Sequence, residues 1–329
     1  MSLFKYYIFV FLACFCSLIF AQQDSVEDTD VLALRLQNHL VQAKIDSDRG
    51  QYYNAQDNLD KSLIIAEKID DKINQGKIHT KIAKVQFLVN KPDQANLSLH
   101  KAIQIQRGND DYANLAITYN IKGVIHSTME EYEYALEYFN SSKTLFEQED
   151  LEPYISDVTL NEAKVYIAQK RYEEAKSELE KTIVIAKKYS QEDRLSSALI
   201  QSAKVSSALN QDKIALLEAE EGLTIAQKNK NLENVNEAYI TLSEIHQKNG
   251  DYKSLYESIK KHIQLSDSIL NVKRQNLPPG MSGQYISKYK DAENAQLKAQ
   301  IEEVNAESAF TRITTILSIA LITILSLLT

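Results

Sequence analysis

The stretch Tyr119–Phe146 reads YNIKGVIHSTMEEYEYALEYFNSSKTLF. Its spacing predicts two amphipathic helices joined by a tight turn at Met129–Glu131. Tyr132, Ala135 and Phe139 fall at i, i+3 and i+7, one face of the second helix. Gly123, on the first helix, marks a point where a neighbouring helix can come close.

The same unit recurs at steps of 40 residues. From Ala135 the steps land on Ala55, Ala95, Ala175, Ala215 and Leu255. From Gly123 they land on Ala43, Ala83, Ala163, Ala203 and Ser243, all small. From Ile125 they land on Ile45, Val85, Val165, Val205 and Ile245, all β-branched and apolar. From Phe139 they land on Leu59, Leu99, Leu179, Ala219 and Ile259. Columns of one chemistry at one period signify a stacked array of hairpins. Small residues admit close helix approach, and the large apolar ones fill the space between neighbouring pairs. One hairpin cannot cover its own apolar face, so it needs neighbours. Six units predict an all-α right-handed superhelix of about twelve helices.

The second helices carry Gly50-x-Tyr52-x-x-Ala55, and Tyr132 with Ala135 and Tyr172 with Ala175 repeat it without the glycine. Gly250 and Tyr252 repeat it with Leu255 for alanine, while Pro92 and Asp212 replace the tyrosine in repeats two and five. This pattern resembles the tetratricopeptide repeat (TPR) family, over roughly Leu36–Leu270. A TPR unit usually has about 34 residues. The period of 40 therefore implies longer helices or longer links.

Residues 1–21 begin MSLFKYYIFVFLACFCSLIFA, one lysine and then an apolar run, which predicts a secretory signal peptide cut after Ala21. A lipoprotein at Cys14 and an uncleaved anchor remain alternatives. Cys14 and Cys16 are the 2 cysteines of the chain, so the mature protein is expected to use no disulfide, zinc thiolate or cysteine nucleophile. The array is expected over residues 31–271. Eight glycines and four prolines in 329 residues suit near-continuous helix, and no strand is expected. Leu277-Pro278-Pro279-Gly280 breaks the pattern. A helical stalk is expected over 282–309, with Leu297, Ile301 and Val304 as a weak coiled-coil seam and a possible homodimer contact. Residues 310–329 include an uncharged apolar run, Ile313–Thr329, that predicts a single transmembrane helix.

The formal net charge of −8 disfavours nucleic acid as partner. No phosphate-binding glycine loop, H-E-x-x-H or G-x-S-x-G motif is present. His39 and His79 share one repeat position and His126 and His246 another, which assigns them to packing or surface. No metal, cofactor or catalytic group is expected. One column stands out beside the β-branched one: Lys44, Lys84, Val124, Lys164, Lys204, Glu244. In the TPR family the first helices of each pair line the ligand groove. The resemblance thus implies a groove of Lys44, Lys84, Asn120, Lys164 and Lys204 that attracts an acidic peptide or protein. Lysine is also an ordinary helix former on a wet face, and that reading stays open.

The order of segments resembles the extracytoplasmic input region of bacterial TPR sensor proteins, of histidine kinase or helix-turn-helix regulator type. The expectation is a non-enzymatic module on the inner membrane, single-pass, array in the periplasm, that binds a peptide or protein for signal transduction. No output sequence is present before Thr329. A stand-alone scaffold for an envelope complex and a sensor histidine kinase lacking its kinase domain are the alternatives.

Overall fold

In the computed structural model the described residues are 29–275. The expected signal peptide, stalk and transmembrane helix lie outside them. Among the described residues no helix is long and apolar enough to cross a membrane.

The described residues form twelve α-helices and no strand. In chain order they are α1 (Thr29–Asp48), α2 (Tyr52–Lys68), α3 (Lys72–Leu88), α4 (Pro92–Gly108), α5 (Tyr112–Thr128), α6 (Tyr132–Gln148), α7 (Glu152–Ala168), α8 (Tyr172–Lys188), α9 (Glu192–Ala208), α10 (Asp212–Lys228), α11 (Leu232–Lys248) and α12 (Tyr252–Gln275). Odd-numbered helices are the first of each pair. The helices α2 to α11 are each 17 residues long. Three-residue links join them, so helix length accounts for the long period. Pro92 and Asp212 open α4 and α10 just as Tyr132 and Tyr172 open α6 and α8. Proline at the first helical position loses no hydrogen bond, which is why it substitutes there.

Every link turns at one left-handed residue. Residues 50, 70, 90 and so on to 250 take a left-handed backbone, Gly50 and Gly250 among them, and nine are not glycine. Asp70, Asn90, Asp110, Asp150 and Asn210 suit that region better than Glu130, Lys170, Ser190 and Lys230 do. The Asp70 N–H donates to Glu67 O and the Asp71 N–H to Ala66 O, the paired bonds of a Schellman motif. The pattern recurs at nine helix ends, through Gly250 to Gln247 and Asp251 to His246. The residue after the left-handed one is at once the end of one motif and the N-cap of the next helix. Asp71, Asp111 and Asn231 cap with their side chains, accepting from the N–H three residues on.

The chain divides into two compact units: Met1–Asp48 with Asn54–Asn109, and Arg49–Tyr53 with Asp110–Thr329. In the first, Ala43, Ala55, Leu59, Ala83, Val85, Ala95 and Leu99 are buried, as the columns require. Among polar groups there, Gln75 Nε2 donates to Ala66 O, and Asn58 Nδ2 to Asp46 Oδ2. In the second unit the core is a chain of three-helix clusters. Ala135, Phe139 and Phe146 of α6 pack with Ala116 of α5 and with Val158 and Val165 of α7. Ala175 and Leu179 of α8 pack with Ala163 of α7 and with Ala198 and Val205 of α9. Ala215 and Ala219 of α10 pack with Ala203 of α9 and Ile245 of α11. Each hairpin is completed by the first helix of the next. Tyr132 and Tyr172 lie against the first two of these clusters and Tyr252 against Leu255 and Ile259 of α12, a packing role.

Among the described glycines for which the contacts of an added Cβ are known, Gly123 has the closest neighbour. A Cβ there would stand 2.5 Å from Phe139 Cε1 and 3.1 Å from Ala135 O. In repeats one, two and four the pair of positions holds alanine with leucine: Ala43 with Leu59, Ala83 with Leu99 and Ala163 with Leu179. Repeat three has exchanged a methyl on one side for a larger ring on the other. Gly123→Ala is therefore expected to destabilise the second unit by about 1–3 kcal/mol through overpacking. Adding Phe139→Leu should recover much of that loss, although each change alone is unfavourable. Urea unfolding of the two single variants and the double variant measures the coupling. A neutral Gly123→Ala would remove the close-contact argument.

Candidate functional site

Columns shared by all repeats are buried, so recognition has to use positions that differ between repeats. In the second unit α5 touches α7, α7 touches α9 and α9 touches α11, whereas successive second helices make no comparable contact. The first helices therefore form the inner side of that unit. Their faces carry Asn120, Asp157, Asn161, Lys164, Gln201, Lys204, Glu237 and Glu244.

These groups mostly satisfy one another. Asn161 Nδ2 donates to Asn120 Oδ1 at 3.0 Å. Arg194 grips Asp157 through Nε and Nη2 at 2.7 and 3.2 Å. Lys204 Nζ donates to Glu237 Oε1 at 2.9 Å, and Gln201 Nε2 to the same oxygen at 2.6 Å. Burial alone would push the Glu237 carboxyl up. The charge and hydrogen bond of Lys204, the charge of Lys164 and the Gln201 bond outweigh burial and hold it below the usual carboxylate range. Of the five residues singled out from sequence, Asn120, Lys164 and Lys204 thus stand on this face, Asn120 and Lys204 already with protein partners. Nearer the helix N-termini an open hollow of about 680 Å³ is lined by Tyr154, Asp157, Glu192, Asp193 and Arg194.

The first unit differs. Lys44 of α1 and Lys84 of α3 line one cleft of about 190 Å³, together with Lys81, Ser47 and Asp48. Among the described residues none of the three lysines has a carboxylate within ion-pair distance. Burial, followed by the charges of Lys84, Lys44 and Lys77, holds the Lys81 ammonium below its ordinary range, opposed by Asp48. Such mutual repulsion among ammonium groups is relieved by an anion. Lys81 and Lys77 escape a periodic reading because their columns do not repeat: Val41, Lys81, Ile121, Asn161, Gln201, Thr241, and Gln37, Lys77, Ile117, Asp157, Ser197, Glu237. The second of these puts a lysine in the first unit where the second unit has carboxylates.

The histidines are engaged locally. His39 Nδ1 pairs with Asn58 Oδ1 at 3.0 Å, and His126 Nδ1 with Glu131 Oε2 at 2.6 Å. Burial, then the Lys101 charge, lowers the His79 pKa. Among the described residues no cluster of His, Cys, Asp and Glu could hold a metal ion.

The Lys204–Glu237 pair has a pH signature. A carboxyl with a depressed folded pKa adds stability above its unfolded value of about 4.3, lost as pH falls through the folded value. Lys204→Met removes the largest lowering influence. The variant is expected to lose about 1–3 kcal/mol at pH 7, with the gap to the parent closing toward pH 3 as Glu237 protonates. Urea unfolding across that range checks both the size and the sign.

Comparison with known proteins follows from this architecture. The family described as "Anaphase-promoting complex subunit 5" matches twice, over residues 39–129 and 160–249, more than half of the chain. No curated protein sequence matches. Among solved structures, aspartyl phosphate phosphatase F from Bacillus subtilis superposes with a TM-score of 0.62 at 13% identity, covering 88% of this chain and 75% of that one. A Rap protein complexed with competence and sporulation factor gives 0.60 at 15%, covering 75% and 67%. A signal transduction ATPase with a tetratricopeptide repeat sensor, from Pyrococcus horikoshii, gives 0.56 at 14%, covering 83% of this chain and 43% of that one. At these identities the likeness is one of fold. The two matched segments fall on successive hairpins of the array, and the chain belongs to the anaphase-promoting complex subunit 5 family, a helical-repeat family with the TPR-like fold.

Proposed function

We propose that this chain is a non-enzymatic recognition module whose first-helix faces bind a peptide or protein partner with acidic character. The observation that carries this reading is the cleft with Lys44, Lys81 and Lys84, cationic and, among the described residues, with no carboxylate within ion-pair distance of the three, on a surface that core packing does not constrain. The fold supports it, since stacked hairpins offer an extended surface suited to peptides. One structural neighbour is a Rap protein complexed with competence and sporulation factor, and another bears a TPR sensor. By extension, the module serves as the input region of a signal-transduction protein.

The apolar segments at 1–21 and 310–329 support a second element of the proposal. The first acts as a secretory signal, and the other anchors the array to the inner membrane from the periplasmic side. The stalk between array and anchor could then pair two copies.

Two experiments test these points. The full-length protein in detergent micelles should bind a glutamate-rich peptide more tightly than its glutamine-rich counterpart, and added salt should weaken binding. Lys84→Glu with Lys164→Glu should lower that affinity at least about tenfold at low salt, read by fluorescence anisotropy. Unchanged affinity would discard the lysine-lined face. For location, Glu180→Cys, on the exposed side of α8, should react in intact spheroplasts with a membrane-impermeant maleimide. Labelling only after lysis would overturn the extracytoplasmic assignment.

A further inference from the structure

We infer that the cleft between α1 and α3 is a site for a doubly charged oxyanion, a phosphoryl group, held by Lys44, Lys81 and Lys84. Three observations carry it. The first is charge. Three ammonium groups share the cleft with one carboxylate, Asp48, which leaves two positive charges for an occupant to neutralise. A phosphate dianion matches that number, and a single carboxylate leaves half of it uncompensated.

The second observation is that, among the described residues, Lys44, Lys81 and Lys84 have no ion-pair partner, whereas several lysines of the second unit have one across a helix pair. Lys143 pairs with Glu162, Lys188 with Glu152, Lys228 with Glu192 and Lys248 with Asp212. These are pairs across helices in which each cation finds an anion at a nearby turn. The column that gives Asp157 and Glu237 in the second unit gives Lys77 here, so the compensating acid is replaced by a further base. The Lys81 ammonium is held low first by burial and then by the charges of Lys84, Lys44 and Lys77, with Asp48 opposing.

The third observation is size and chemistry. A volume of about 190 Å³ accommodates a phosphate with a few waters. It is smaller than the roughly 300–1,000 Å³ of a small-molecule pocket. Lysine binds an oxyanion as a point charge, so the cleft selects by charge and not by a planar fork, and no arginine lines it. Ser47 adds a neutral hydroxyl donor at the rim.

The same phosphoryl chemistry has two sources, free phosphate or a phosphomonoester on a bound partner segment. The inference rests on the recognition reading only for the second. The test uses the full-length protein in detergent micelles and isothermal titration calorimetry. The probes are inorganic phosphate, a peptide bearing phosphoserine, and the same peptide with glutamate in its place. Phosphate is expected to bind saturably below about 10 mM, and the phosphopeptide about tenfold more tightly than the glutamate peptide. Lys81→Gln with Lys84→Gln should weaken both at least about tenfold. The charge-matched control Lys187→Gln with Lys213→Gln should leave them unchanged. Far-ultraviolet circular dichroism and the urea midpoint confirm that both variants are folded.

A phosphopeptide no tighter than free phosphate assigns the site to the free ion. The opposite order assigns it to a modified segment. Binding of the glutamate peptide as tightly as the phosphopeptide overturns the phosphoryl assignment and leaves the acidic-peptide reading standing. Saturable phosphate with no binding of either peptide upholds the site and overturns peptide recognition. The absence of saturable binding by phosphate and phosphopeptide alike in the parent protein overturns the inference without reference to any variant.

Discussion

The architecture depends on how closely the two helices of each hairpin can approach. Ala83, Gly123, Ala163 and Ala203 bring a first helix against the backbone and side chains of the second, and their partners sixteen residues on fill what remains. Gly123 against Phe139 is the extreme case. Close contact there leaves the outer flank of the second helix uncovered, and the next first helix covers it. The three-helix clusters of the second unit are the direct result: no hairpin owns a complete core, so stacking is obligatory.

Regularity of the links maintains that packing along the chain. A three-residue connection with one left-handed residue and two Schellman bonds leaves no slack in the angle between successive helices. Because the link is backbone-driven, side chains there are free to vary, and Glu130, Lys170 and Lys230 occupy positions that glycine or asparagine would fill with less strain. Identical helix lengths then keep each buried column in register from one hairpin to the next.

Against this uniform frame the first-helix faces differ from repeat to repeat. In the second unit polar groups are spent on one another, with Lys204 bound to Glu237 and Asn161 bound to Asn120. In the first unit Lys44, Lys81 and Lys84 line one cleft with a single carboxylate, Asp48, and among the described residues none of the three forms an ion pair. A cation with a partner contributes to stability, whereas a cluster of cations lowers stability until an anion arrives. That difference, and not the lysine count, distinguishes the two faces.

The amino-acid sequence alone determined the all-α class, the period of 40 residues, the turn at Met129–Glu131 and the residues of the core. It could do so because every repeat obeys the same packing constraint, and a shared constraint repeats in the sequence. It also exposed the column of Lys44, Lys84, Lys164 and Lys204. Only the tertiary structure decided what surrounds each of them. Glu237 lies 33 residues beyond Lys204, on another helix, and an ion pair depends on distance in space, which no column records. Lys81 belongs to no recurring column, yet it lines the same cleft as Lys44 and Lys84, because residues of α1 and α3 meet there. Site residues are specific to one repeat by their nature, so periodicity, the strongest signal for the fold, carries the least information about the site.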